Sequence, residues 1–178
     1  MNVSDENADI GGAFVAQARD FLANDYLPKI ENCLKVLSVE DVWWRANSES
    51  NSIGNLLLHL SGNARQWIVS GLGGAADFRE RQTEFDAKSG PAKEQLLSGL
   101  KSTLAEVDRV LSEFDTSRLL AGYQIQGSEV NALAAIFHVV EHFAMHTGQI
   151  ILLTKMLVKK DLAFYDFSTG APVHTWHG

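Results

Sequence analysis

The chain carries six histidines against one cysteine, and three of the histidines crowd into Phe137-His138-Val-Val-Glu141-His142-Phe-Ala-Met-His146-Thr-Gly-Gln149. Imidazole is the side chain that most often ligates a metal. Four-residue spacing on a helix stacks two imidazoles on one face, one turn apart, where both reach a single ion. His138 and His146 stand about 12 Å apart at about 1.5 Å per residue, so the three cannot comfortably share one ion. At about 100° per residue, His142 and His146 share a stripe with Val139, Ile150, Leu153 and Leu157, the pattern of a core-facing seam. His138 leans toward Asn131, Met145 and Gln149, a more polar direction. His142 with His146 is the preferred pair, and His138 is the fallback.

A third ligand is needed, and the best candidate is His59, within Asn55-Leu-Leu-Leu-His59-Leu-Ser-Gly-Asn63-Ala-Arg-Gln66. Asn55, His59, Asn63 and Gln66 form a polar line at steps of four and three, backed by an apolar face of Ile53, Leu57, Leu60, Ala64, Trp67 and Ile68. Three neutral imidazoles around one ion leave positions for water or substrate, as in catalytic rather than structural sites. Asn55, Asn63, Gln66 and Gln149 are candidates for the hydrogen bonds that orient the imidazoles, with ordinary polar packing as the competing account of each. Any one of these histidines alone would read as a buried, hydrogen-bonded core residue; the combination favours a metal. His174 and His177 read as tail residues, exposed or packed on the body.

Other chemistry is weaker. His138-Val-Val-Glu141-His142 matches the H-x-x-E-H string of inverted zinc peptidases, but no Glu follows Glu141 to supply their third ligand, and the chain is too short. Cys33 lies on an apolar stripe and reads as a small buried hydrophobe rather than a nucleophile. Arg45, Arg79 and Arg81 could clamp an anion, but solvated pairing with Asp77, Glu80 and Glu84 is the simpler account.

Four helical segments must position these groups. The first, about Gly12 to Leu37, repeats Phe14, Ala18, Phe21, Leu22, Tyr26, Ile30, Cys33, Leu34 and Leu37 along one face, and Pro28 predicts a kink or break near Tyr26. Ser38-Val-Glu-Asp41 is a capping box leading into Trp43-Trp44. Asn51 or Ser52 caps a second helix from Ile53 to about Ser70. Pro91 opens a third to about Phe114. Leu119 to Gly127 has some strand character, and Ser128 caps a fourth helix reaching about Lys159. The aromatic residues after it (Phe164, Tyr165, Phe167, Trp176) suggest a tail packed on the body. The class expected is all-α, a four-helix bundle with an irregular C-terminal tail.

The 178 residues, 46% hydrophobic and 21% charged, suit one domain over 1–178. A net charge of -7 argues against non-specific binding to nucleic acid, whose phosphates call for clustered Lys and Arg. Met1 to Asp9 lacks the basic start and apolar run of a signal peptide. The longest oily region, Ala132 to Val158, is interrupted by Glu141, three histidines, Gln149 and Lys155, too polar for hydrocarbon. A soluble cytoplasmic protein is expected, one that a lone cysteine fits.

Asn55-Leu-Leu-Leu-His59-Leu followed by His142-x-x-x-His146-Thr-Gly-Gln149 resembles the DinB superfamily of four-helix-bundle proteins. That superfamily pairs a His in its second helix with a late H-x-x-x-H-[RT]-G-Q segment. The fuller text Asn51-Ser-Ile-Gly-Asn-Leu-Leu-Leu-His-Leu-Ser-Gly-Asn63, with Arg65-Gln-Trp67-Ile, looks like a bacterial branch of it. The resemblance spans nearly the whole chain and implies nickel or zinc on His59, His142 and His146, and a homodimer. It also implies a metal-dependent enzyme acting on a small molecule, such as an S-transferase using a low-molecular-weight thiol (bacillithiol, mycothiol or glutathione). Thr147 stands where relatives usually carry Arg, which removes a positive charge beside the site. A metal-dependent hydrolase and a non-catalytic metal-binding or interaction module are the alternatives.

Overall fold

A computed structural model describes residues 9–176, and they are mostly helical. Four long rods make up most of the chain: residues 10–36, residues 53–70, Lys93–Ser112 and Ala132–Val158. The second rod packs against the third and fourth, and the first packs against the fourth. Their apolar stripes meet in one core that includes Ile30, Leu34, Leu57, Leu60, Leu100, Leu111, Val139 and Phe143. No helix among the described residues is long and apolar enough to cross a membrane.

The first rod begins where the Asp9 side chain accepts the Gly12 N–H at 2.8 Å. It does not break at Pro28. Ile10–Asp20 passes into a π-helical stretch, Phe21–Tyr26, and then into Leu27–Val36, with Pro28 in the first turn of that last segment. A proline inside a helix has no N–H for the carbonyl four residues back. That carbonyl belongs to Asn24, and the indole N–H of Trp176 donates to it at 3.0 Å. The tail thus supplies the hydrogen bond that Pro28 cannot. Trp176 is buried, with the Lys29 ammonium 4.4 Å from its ring centroid and His174 stacked on it at 4.2 Å. The tail also folds into a short antiparallel strand pair, Tyr165–Asp166 with Val173–His174. His177 lies outside the described residues.

Capping fixes the other rods. Ser38 and Asp41 form the expected box at the start of the short helix Val39–Trp43. Ser52 caps the second rod: its hydroxyl accepts the Asn55 N–H at 3.1 Å while Asn55 Oδ1 accepts the Ser52 N–H at 3.0 Å. Pro91 falls short of the third rod, which starts at Lys93 after Ala92; its carbonyl instead accepts the Trp43 indole N–H at 3.3 Å. Ser128 is likewise not a cap. It lies in β2 (Ser128–Asn131), which pairs with β1 (Gly122–Ile125) across Gln126-Gly127. Both turn residues have positive φ, +52° and +76°, as a tight hairpin turn requires. Asn131 caps the fourth rod through the Ala134 N–H at 2.8 Å. An all-α reading therefore misses two small hairpins, the first of which places the start of the helix that carries three histidines.

Trp176→Phe keeps an aromatic ring in place but leaves the Asn24 carbonyl without its donor. We expect a loss of about 0.5–1.5 kcal/mol in unfolding free energy, measured by urea denaturation. A change of only a few tenths would mean that this carbonyl needs no indole.

Candidate metal centre

The second rod, held at its start by the Ser52–Asn55 box, turns His59 inward, where it is 4% exposed. The fourth rod presents His142 and His146 one turn apart, with His146 8% exposed. One ligand nitrogen from each of the three lies within 4.8 Å of the others, so the set can hold a metal ion. The ring centroids of His59 stand 4.9 Å from His142 and 5.1 Å from His146, and those of His142 and His146 are 4.4 Å apart. His59 Nε2 and His142 Nε2 face each other at 2.9 Å. Two nitrogens each about 2.0–2.1 Å from a common ion stand roughly 2.9–3.4 Å apart, so the pair is already near ligand spacing.

The Nδ1 atoms of His59 and His146 are occupied. His59 Nδ1 lies 2.8 Å from Glu84 Oε2, and His146 Nδ1 lies 2.7 Å from Gln149 Oε1. His146 Nε2 is buried and has no protein partner. A buried polar atom without a partner is uncommon, and here it belongs to the convergent set. Burial above all depresses the His142 pKa, to about 3, and the neighbouring His146, His59 and His138 and Arg79 add to the effect. Burial also lowers that of His146. Both rings are therefore neutral near pH 7, with a lone pair free to coordinate. An all-imidazole donor set suits several first-row transition metals and does not select among them.

Glu84 is the residue that sequence reasoning missed. It sits in a short helix, Arg81–Asp86, in the charged connection expected to be solvated, yet it is 8% exposed. Arg79 grips it with two hydrogen bonds, Nε to Oε1 at 2.8 Å and Nη2 to Oε2 at 2.9 Å. Burial would push the Glu84 carboxyl up, but the bonds from Arg79 and His59 outweigh it and hold the pKa below its usual value. Arg79 also donates to Gln66 Oε1 at 2.9 Å. Its guanidinium is thus committed within the protein rather than held at the surface. Arg45 is committed too, donating to Asn55 Oδ1 and to the Phe85 and Ala87 carbonyls. Arg81 lies over the Phe85 ring at 4.8 Å.

The four candidate orienting residues separate. Gln149 meets a ligand imidazole directly. Asn63 Nδ2 lies 3.1 Å from His138 Nε2, so it serves the fallback histidine. Gln66 reaches the site only through Arg79. Asn55 bonds backbone carbonyls of the loop, Glu84 O at 2.7 Å and Ala87 O at 2.8 Å, and so holds the loop that carries Glu84. His138 is half-buried against Trp67, 4.2 Å between ring centroids, outside the close set. Cys33 is fully buried, and burial pushes its thiol up to about 11.

The family model described as "Protein of unknown function (DUF1572)" matches residues 9–170. No curated protein matches the sequence. The fold is similar to the crystal structure of a conserved protein from Enterococcus faecalis, with a TM-score of 0.64 and 14% identity over 90% of this chain and 99% of that one. It is also similar to a DinB-like protein from Bacillus cereus ATCC 10987, with a TM-score of 0.60 and 17% identity over 75% of this chain and 86% of that one.

The Arg79–Glu84 pair is nearly sealed, its side chains 5% and 10% exposed. Glu84→Ala strands a buried guanidinium, and we expect it to cost about 3–5 kcal/mol in a denaturant titration. Arg79→Met combined with Glu84→Leu should recover much of that loss, because both charges go together. Equal destabilisation by the single and double variants would contradict the buried-pair account.

Proposed function

The chain belongs to the DUF1572 family, and from that premise and its DinB-like fold we propose a divalent-metal-dependent enzyme acting on a small molecule. Nickel or zinc would be held by His59, His142 and His146. The observation that carries this reading is the buried, partnerless His146 Nε2, set among the ligand nitrogens of the other two imidazoles. The four rods are read as the four-helix bundle of the DinB superfamily, one domain over 1–178.

When bound, such an ion supplies Lewis acidity that lowers the pKa of a coordinated thiol or water toward neutrality. The chain's own residues do the positioning. Gln149 fixes the His146 ring through Nδ1, leaving Nε2 for the ion. Burial keeps His142 and His146 neutral, so each ring keeps one lone pair and no net proton loss precedes coordination. The substrate favoured by the superfamily resemblance is an electrophile conjugated to a low-molecular-weight thiol. Cys33, buried away from solvent, is no nucleophile for it. Hydrolysis is the reading that follows if water rather than thiol is activated.

A homodimer is also proposed, on a specific pattern. The exposed face of the fourth rod carries Leu133, Phe137, Met145, Leu152 and Met156, with the charged Glu141 and Lys155 among them. These positions are symmetric about the midpoint between Ala144 and Met145. In an antiparallel two-fold pairing, Leu133 meets Met156 of a second copy, Phe137 meets Leu152, and Met145 meets Ala144. That self-complementarity is what an isologous interface needs.

Protein purified without a histidine tag and incubated with nickel or zinc should retain about one ion per chain, and His142→Ala should abolish retention. Retention that is negligible in the wild type, or unchanged in His142→Ala, would sink the site. With metal bound, conjugation of a bacterial thiol to an electrophile should be lost in His142→Ala; absence of turnover with every such thiol would favour hydrolysis or a non-catalytic module. Sedimentation should give a dimer that Phe137→Glu converts to a monomer with its metal retained. A wild-type monomer at high concentration would contradict the interface.

A further inference from the structure

We propose that Glu84 is a positioning residue for the metal centre, fixing His59 as the Nδ1–H tautomer with its Nε2 lone pair turned toward His142 and His146. The inference rests on the metal-site reading above but makes a claim about the metal-free protein as well. An ionised carboxylate can only accept, so the hydrogen in the 2.8 Å contact with Glu84 Oε2 sits on His59 Nδ1. Arg79 Nη2 also lies 3.1 Å from that nitrogen, but a bare Nδ1 would set its lone pair against the carboxylate oxygen at 2.8 Å, so the proton stays on Nδ1 and Arg79 Nη2 donates to Oε2 at 2.9 Å. A neutral imidazole carrying its proton on Nδ1 has its free pair on Nε2, the atom that faces His142 Nε2.

The surroundings are arranged to hold a carboxylate there. Gly62, three residues beyond His59, leaves the room: a Cβ at that position would collide with Glu84 Oε1 and stand 2.9 Å from Arg79 Nε. Asn55 grips the Glu84 carbonyl from inside the second rod. Arg45 ties the following carbonyls, Phe85 O and Ala87 O, to the same Asn55. The loop cannot move without breaking a buried set of bonds. Arg79 occupies both carboxylate oxygens, so Glu84 stays an outer partner of His59 rather than swinging in as a ligand. Such outer carboxylates raise the basicity of the imidazole and fix its orientation.

The test is Glu84→Gln, which keeps the volume and removes the charge. Arg79 Nε and Nη2 address two different carboxylate oxygens, and an amide offers only one. With that oxygen on Nε, the NH2 group faces His59 Nδ1 and the Nε2–H form becomes favourable. In the metal-free wild type, long-range 1H–15N spectra of the imidazoles should place the His59 proton on Nδ1, and Glu84→Gln should move a large part of it to Nε2. Nickel affinity, measured by competition with a chromophoric chelator, should fall about 10–100-fold in the variant. Arg79→Met with Glu84→Leu removes both charges and the acceptor at Nδ1, and it is read by the same spectrum where Glu84→Gln does not fold or turns its oxygen to the ring. A His59 proton that stays on Nδ1 in this double variant, or nickel affinity within twofold of wild type there, would overturn the proposal while leaving the metal site standing. Failure of the wild type to bind nickel would instead refute the metal reading, and the tautomer measurement would still decide the role of Glu84.

Discussion

A buried imidazole has two nitrogens that both need partners, and this protein buries a set of them. Leaving a buried polar group unpaired costs about 1–3 kcal/mol, so the surroundings of such a set must be specified in detail. One nitrogen of His59 is satisfied by Glu84 and one nitrogen of His146 by Gln149, each from outside the cluster. What remains points inward, to the 2.9 Å approach of His59 to His142 and the partnerless nitrogen of His146. The clustering is understandable if an ion supplies the missing contacts. Without an ion, His146 Nε2 stands with the other buried polar atoms left unpaired, Arg45 Nε and Asn63 Oδ1 among them, but it alone of these belongs to the close set of imidazoles.

That requirement extends outward through the structure. Glu84 can be buried beside His59 because Arg79 neutralises it, and Arg79 can be buried because Glu84 and Gln66 take its donors. The loop bearing Glu84 is fixed to the second rod by Asn55, the same residue that closes the capping box at the start of that rod. One asparagine thereby couples the start of the helix carrying His59 to the position of the carboxylate behind it. The fourth rod meets a parallel demand at its own start, where the hairpin β1–β2 delivers Asn131 as cap and sets where the helix bearing His142 and His146 begins.

The parts legible in the sequence were those encoded locally. Helix periodicity placed the rods, and four-residue spacing with the seam argument separated His142 and His146 from His138, which the structure leaves outside the close set. Ser38 announces its box by type and spacing, and Ser52 is one of two caps offered for the second rod, its box with Asn55 visible only in the structure. What could not be read depends on partners far apart in the chain. Glu84 lies 25 residues from His59, in a stretch whose alternating charges look like any solvated loop, and only the tertiary packing buries it. Trp176 and Asn24 are 152 residues apart, so nothing near Pro28 announces that its missing hydrogen bond is replaced. Ser128 fits a cap by residue type, yet it serves in a strand. The signal that marks this is Gly127, a turn residue between two short segments. Asn55 fitted the polar line by spacing, but its side chain was taken by the loop carbonyls, a role that spacing cannot distinguish from holding an imidazole.

The most direct test of the account is X-ray absorption at the metal edge of zinc-loaded protein. It predicts three imidazole nitrogens at about 2.0–2.1 Å with the remaining coordination completed by light oxygen donors, and no sulfur. A first shell with fewer than two imidazoles, or one containing the Cys33 thiolate, would contradict it.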